Sequence, residues 1–246
     1  MSVAAPKILR AWTYLVKFGN RLIESGPKSA VRYSYHWLMD VYADWNFDRR
    51  HHVDTFEAVP LANLTILDKN FDYKQDKRRY EQTSVTVFRK IISTLPIMYN
   101  EYVFVDFGSG KGKALLMASE YNFKKIVGVE FAEELHRIAE KNLLAYSNAN
   151  QRCYDIELVL GDAANLDIPE EKCVFYVANP FRGAEHVLAK IISNTYASYR
   201  ANPRPMYFVY VNPISQYLLD ELEFMQLREK QNFQSVAAAI YETALG

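Results

Sequence analysis

Cysteine is scarce in this chain, with two residues, Cys153 and Cys173, among 246. They form no C-x-x-C pair and no histidine cluster stands at ligand spacing, so they read as free thiols in a reducing compartment without a structural metal. A charge excess is missing as well. Lys plus Arg and Asp plus Glu both count 29, which leaves no global field to draw nucleic acid or an anionic membrane. No apolar run is long enough to span a bilayer. The early apolar stretch is interrupted by Lys17 and Arg21, unlike a secretory signal. These absences predict a soluble cytoplasmic protein. Core material is plentiful: half the residues are hydrophobic, enough for one α/β domain with an N-terminal extension.

The run from Val103 to Lys113 organises the rest. A β-branched, apolar strand ends at Asp106, a Gly-x-Gly-x-Gly turn follows at Gly108, Gly110 and Gly112, and a helical pattern starts at Ala114. Such a strand–turn–helix aims backbone N–H groups at a ligand with no Cβ in the way. Asp106 adds a negative wall, which suits a zwitterionic or cationic ligand better than a bare phosphate. Two other glycine loops fail on identity. A dinucleotide fingerprint needs Gly or Ala at its sixth position, where Lys113 or Leu115 stands. A Walker loop needs Gly five residues before Gly112, where Phe107 stands, and Ser or Thr in place of Ala114.

The next strand, Ile126 to Glu130, ends in a carboxylate at the position that grips ribose hydroxyls in nucleoside-binding sheets; a solvated strand-end Glu is the plainer reading. A third strand from Ile156 runs into Gly161-Asp162-Ala163, and a fourth, from Val174 to Ala178, into Asn179-Pro180-Phe181. These polar strand ends fall on one edge of a parallel sheet.

In this order, the Asp106–Gly112 run, Glu130, Asp162-Ala163 and Asn179-Pro180-Phe181 resemble the motifs of class I S-adenosylmethionine-dependent methyltransferases, over roughly residues 80 to 241. The resemblance implies S-adenosyl-L-methionine as cofactor, with Asp106 and the loop of Gly108, Ser109, Gly110 and Gly112 at its methionine part. It implies Glu130 at the ribose, Asp162 and Ala163 at the adenine edge, and Asn179 at the methyl-transfer side. The run Tyr80-Glu81-Gln82-Thr83-Ser84 is similar to the Tyr-x-x-Thr-Ser loop of the non-SET histone lysine methyltransferases. That likeness implies Tyr80 and Thr83 at the cofactor, although Gln82 departs from the pattern and the long basic extension of those enzymes is not seen. Thr83 or Ser84 serves equally as the N-cap of the helix that follows. Enzymes that methylate exocyclic or amide nitrogens usually carry Asn-Pro-Pro and an aromatic; here Phe181 and Arg182 replace the last two.

The expected fold is a doubly wound, mostly parallel seven-stranded sheet with an antiparallel last strand. Residues 1–79 are expected as an N-terminal helical extension or cap and 80–246 as the methyltransferase core. Helices are expected near 111–122, 132–147, 184–195 and 214–221, and a final hairpin near 223–229 and 235–241. Residues 7–24 read as a basic amphipathic helix closed by Gly26-Pro27. It has three open meanings: a cap on the core, a contact with a membrane surface or acidic partner, or an organelle presequence. The aromatics of 31–47 read as packing or as a lid over the acceptor. The segment 47–55 reads as a polar loop with Arg–Asp pairing, since neighbouring His51 and His52 cannot both face one metal.

The chemistry expected of Asn179, Pro180 and Phe181 is alignment: amide and carbonyl oxygens accept an amine's N–H while the ring walls the acceptor. Strand termination is the competing reading, which Asn212-Pro213 exemplifies. The function that follows is N-methylation of an amine, a protein lysine or similar. A small-molecule O- or N-methyltransferase and a non-catalytic cofactor-binding module are the alternatives, and a nucleic-acid acceptor is not expected. An NAD-dependent oxidoreductase is disfavoured by Lys113.

Overall fold

The computed structural model describes residues 4–65, 79–178, 184–233 and 236–244, except the side chains of 4–19, 21, 24, 25, 61 and 79. Helix α1, Ala4–His51, is two helices joined at Gly26, whose φ of 78° and ψ of 172° leave the helical region, with Pro27 opening the second. Glycine reaches positive φ freely, and proline in a first turn lacks only an N–H that would be unpaired there anyway. Arg49, Arg50 and His51 occupy the last turn, where cations complement the helix dipole. A short ribbon follows, with β1 (Val59–Pro60) antiparallel to β2 (Arg79–Tyr80). The extension is therefore not helical throughout, and most of the charged run from Phe71 to Arg79 lies outside the described residues.

Helix α2 (Val85–Ile92) starts on Ser84, whose hydroxyl accepts the Val87 N–H. Then come β3 (Tyr102–Phe107), α3 (Lys113–Ala118), β4 (Lys125–Glu130), α4 (Glu133–Ala145) and β5 (Ile156–Leu160). The chain continues through β6 (Lys172–Ala178), α5 (Glu185–Ala201), β7 (Met206–Val211), α6 (Tyr217–Asp220), β8 (Met225–Asn232) and β9 (Ala237–Thr243). Helix α5 outruns its expected end at 195 because Tyr196 and Tyr199 go on packing, both rings against Phe224.

Seven strands form one sheet in the order β5-β4-β3-β6-β7-β9-β8. Neighbours from β3 to β7 pair in parallel, and β9 is antiparallel to both β7 and β8. The single reversed strand slots in next to β7 because the β8–β9 connection is too short for a crossover helix. The sheet is covered on both sides. Along β3, Phe104 packs with Phe88 of α2 and Leu115 of α3 on one face. Val103, Val105 and Phe107 meet Leu188 and Ile191 of α5 on the other. That alternation is the period-two signature of a strand.

Strand β4 needs a glycine where it passes the glycine turn. A Cβ at Gly128 would stand 2.4 Å from Leu115 Cδ1 and 3.0 Å from Ser109 Cβ. Gly128→Ala is expected to destabilise the fold by about 1–3 kcal/mol through overpacking, read as a lower urea midpoint at unchanged slope. An unmoved midpoint would mean that this close approach does not constrain the chain.

Candidate active site

The C-terminal ends of β3, β4 and β5 are stitched together by main-chain bonds. Gly108 and Ser109 N–H both donate to the Val129 carbonyl at 2.9 Å, and Gly161 N–H donates to the Glu130 carbonyl at 2.9 Å. The turn after β3 takes left-handed backbone at Gly108 (φ 86°), Gly110 (φ 55°) and Gly112 (φ 82°), a sequence of angles that only glycine adopts cheaply. Its central amide, Gly110 N–H, donates to Glu130 Oε2 at 2.7 Å, and Ala132 N–H donates to Oε1 at 2.8 Å. Glu130 is buried, and its two oxygens offer about four lone-pair sites, more than its amide partners use.

Asp106 is buried at the end of β3. Burial pushes its carboxyl up to about 8, with the Glu130 charge adding to the effect. Burial also pushes Glu130 up to about 7, against the opposing amide bonds from Ala132, Gly110 and Phe131. Two sunken carboxyls at one strand edge thus share too little cationic compensation. Ser109 Oγ is buried nearby without a hydrogen-bond partner among the described residues. Tyr80 closes over the turn: a Cβ on Gly110 would meet its ring at 2.2 Å. Burial pushes the Tyr80 phenol upward, opposed by a bond to the Lys111 main chain. Thr83 lies beside the hydroxyl of buried Tyr176, which burial likewise keeps neutral.

Among the residues expected from sequence, Tyr80, Asp106, Gly108, Ser109, Gly110, Gly112 and Glu130 meet at this edge. Asp162 is exposed and accepts the Ala164 N–H at 2.9 Å, capping a short 3-10 turn that buries Ala163. Asn179, Pro180 and Phe181 lie outside the described residues. The two cysteines are free and buried, and the described residues contain no cluster that could hold a metal.

Sequence reasoning missed the clamp behind the turn. Lys111 and Lys113, only 2% and 1% exposed, are swallowed by the fold. Lys113 Nζ lies 2.8 Å from Asp44 Oδ1 of α1, and Lys111 Nζ lies 2.8 Å from Asp54 Oδ1. Asp44 Oδ1 also accepts the Val85 N–H at 2.9 Å, so one carboxylate ties α1, α2 and α3 together. Asn142 of α4 donates to the Lys111 carbonyl at 2.9 Å and to the Asp54 carbonyl at 3.0 Å, and accepts the Asp54 N–H at 2.7 Å. The expected Arg–Asp pairing in 47–55 does not occur among the described residues. Asp48 accepts the Thr55 and Phe56 N–H groups instead. A lysine between two glycines, with a second after the last, was the available signal; its partners lie 57 and 69 residues away.

Asp44→Asn is expected to cost about 3–5 kcal/mol, because it removes the counter-charge of a buried ammonium. Asp44→Leu with Lys113→Met should recover most of that in a denaturant titration, and equal loss in both variants would contradict the charge argument. The raised carboxyls fix a pH dependence. Asp106 in the unfolded chain ionises near 3.8, while the folded chain holds the proton to about 8. Its stabilising share is therefore fully present below the lower value and lost as pH rises through the upper one. Between these limits the free protein is expected to lose roughly 2–5 kcal/mol. Asp106→Asn should flatten that slope in melts, and a parallel slope would show the carboxyl ionises freely.

Residues 68–159 match the model of a family described as the histone methylation protein DOT1. No curated protein matches the sequence. Among solved structures, a SAM-dependent O-methyltransferase of Thermotoga maritima shares 14% identity, over 70% of this chain and 70% of its own, at a TM-score of 0.50. A SAM-dependent methyltransferase of Aquifex aeolicus shares 12%, over 64% and 89%, at 0.50. TrmN of Thermus thermophilus shares 14%, over 66% of this chain and 49% of its own, at 0.50. Such identities speak for the fold, and the family model covers the glycine turn and Glu130. The chain thus has the fold of class I S-adenosylmethionine-dependent methyltransferases, with its glycine turn and Glu130 inside the segment that matches the histone-methylation family model.

Proposed function

We propose that the chain methylates a nitrogen, an amine of the kind a protein lysine carries. The observation that carries this reading is the seating of Tyr80 on Gly110, with Thr83 beside Tyr176. It sets the Tyr-x-x-Thr-Ser loop against the glycine turn, inside a segment that matches a family described by histone methylation. The residues fit a cationic, hydroxyl-bearing ligand. Asp106 and Glu130 supply buried carboxyls that an incoming cation would ionise, Ser109 Oγ lacks a partner among the described residues, and Glu130 retains lone pairs for ribose hydroxyls.

Asp106, Gly108, Ser109, Gly110 and Gly112 would hold the methionine end, with Tyr80 and Thr83 over it. Glu130 would hold the ribose, and Asp162 and Ala163 the adenine edge. The bound cofactor supplies an electrophilic methyl group on a sulfonium. What this chain must do is present a neutral acceptor in line with it. Buried tyrosine rings favour a deprotonated amine over an ammonium. Tyr80 and Tyr176, held neutral by burial, act as walls and hydrogen-bond donors rather than as bases. Asn179 and the carbonyls at Pro180 would accept the amine's remaining N–H bonds, turning its lone pair to the methyl, with Phe181 beside it.

Glu130→Ala is expected to weaken S-adenosylhomocysteine by about 1–3 kcal/mol, the worth of hydrogen bonds to a charged group; unchanged affinity in calorimetry would remove it from the ribose. The acceptor class is tested by incubating extract with methyl-labelled cofactor. The proposal expects label in protein, recovered as methylated lysine after hydrolysis. A neutral net charge does not itself rule out nucleic acid, so label confined to nucleic acid or to small metabolites would overturn the acceptor. Cofactor binding without any transfer would overturn catalysis.

A further inference from the structure

The second half of α1 is apolar on two opposite faces. Tyr33, Asp44 and Phe47 turn inward and are buried. Val31, Tyr35, Leu38, Tyr42 and Trp45 point the other way, each between 44% and 65% exposed. Their steps of four and three residues place all five within roughly 80° of the helix circumference, at about 100° per residue, along a strip about 21 Å long. A helix apolar around most of its girth is normally covered on both sides. Among the described residues, the core covers one side only.

The charges on this helix are sorted in the same way. Its three acids are all engaged inward: Asp40 with Thr86, Asp44 with Lys113 and Val85, and Asp48 with the Thr55 and Phe56 amides. Lys28, Arg32, Arg49 and Arg50 are exposed beside the apolar strip, and the Arg49 guanidinium lies 5.4 Å from the Trp45 ring centroid. From residue 27 to 50, the described side chains present no exposed carboxylate. In a chain with 29 cations and 29 anions, this local sorting is not a by-product of composition. The preceding half continues the trend in sequence, with Lys7, Arg10, Lys17 and Arg21 against Glu24.

We propose that the outward face of residues 27–50 is a docking surface for an anionic lipid bilayer, on which the helix lies in the plane of the headgroups. Aliphatic residues with Tyr and Trp suit the boundary between headgroups and acyl chains, and flanking cations suit anionic headgroups. The rival occupants fit less well. Two copies packed through this face would bring cationic flanks together with no carboxylate to answer them. Single-stranded nucleic acid is held in basic grooves with stacking rings, whereas this face is a convex helix with Val31 and Leu38 in its strip.

The test is sedimentation of the full chain with vesicles of phosphatidylcholine alone and of phosphatidylcholine mixed with phosphatidylglycerol. The proposal expects at least about tenfold stronger binding to the anionic vesicles, weakened by salt, and a blue shift in emission that Trp45→Phe diminishes. Leu38→Glu with Tyr42→Glu should lower that binding about tenfold or more while leaving S-adenosylhomocysteine affinity unchanged, as both side chains face away from the core. Lys28→Glu with Arg32→Glu is the second variant and should act in the same direction. Equal binding to both vesicles, or none, would overturn the proposal. So would a dimer that the Leu38/Tyr42 variant dissolves, or a preference for a single-stranded oligonucleotide over the anionic vesicles.

Discussion

The ion pair between Lys113 and Asp44 is the constraint on which the rest of the molecule hangs. A turn built from three glycines has little stiffness of its own, and this one carries two lysines that the fold buries. An ammonium sunk in a protein interior is tolerable only with a counter-charge and further hydrogen bonds. Asp44 supplies the first while holding the start of α2. Asp54 answers Lys111, and the Asn142 amide ties both main chains to α4. The segment before residue 65 therefore stiffens the glycine turn from behind, across the expected boundary at residue 80.

On the other side of the turn, the balance runs the opposite way. Glu130 is buried among amide donors and Asp106 beside the Glu130 charge, and both protonate more readily than free carboxyls. The turn thus has compensated cations at its back and undercompensated acids at its front. Such an edge would favour a positively charged ligand, unlike a dinucleotide or phosphate loop. The same sorting of charge recurs on α1, where acids face the core and cations face out.

The fold was legible in the sequence because strand period, glycine turn and chain order are local signals. The apolar run of β3, buried at all six positions, the break at Gly26-Pro27 and the short β8–β9 connection each declare themselves within a few positions. The front of the site was legible for the same reason, since Asp106 and Glu130 sit at strand ends. Its back was not. Lys113 gives no hint of burial until Asp44 is brought to it from another helix, and the fate of Asp48 depends on where the chain turns after His52. The extra length of α5 came from Phe224, which meets Tyr196 and Tyr199 only in the folded chain. Long-range pairing, not local preference, set what was missed.

The central claim is that sunken carboxyls from successive strands receive the cationic cofactor. It is tested most directly by titrating S-adenosylhomocysteine, whose ammonium carries the same charge as the cofactor's, into the protein near neutral pH in two buffers of different ionisation enthalpy. The account predicts saturable one-to-one binding with net proton release, because the incoming ammonium favours ionised Asp106 and Glu130. Absence of binding, or binding with net proton uptake, would contradict it.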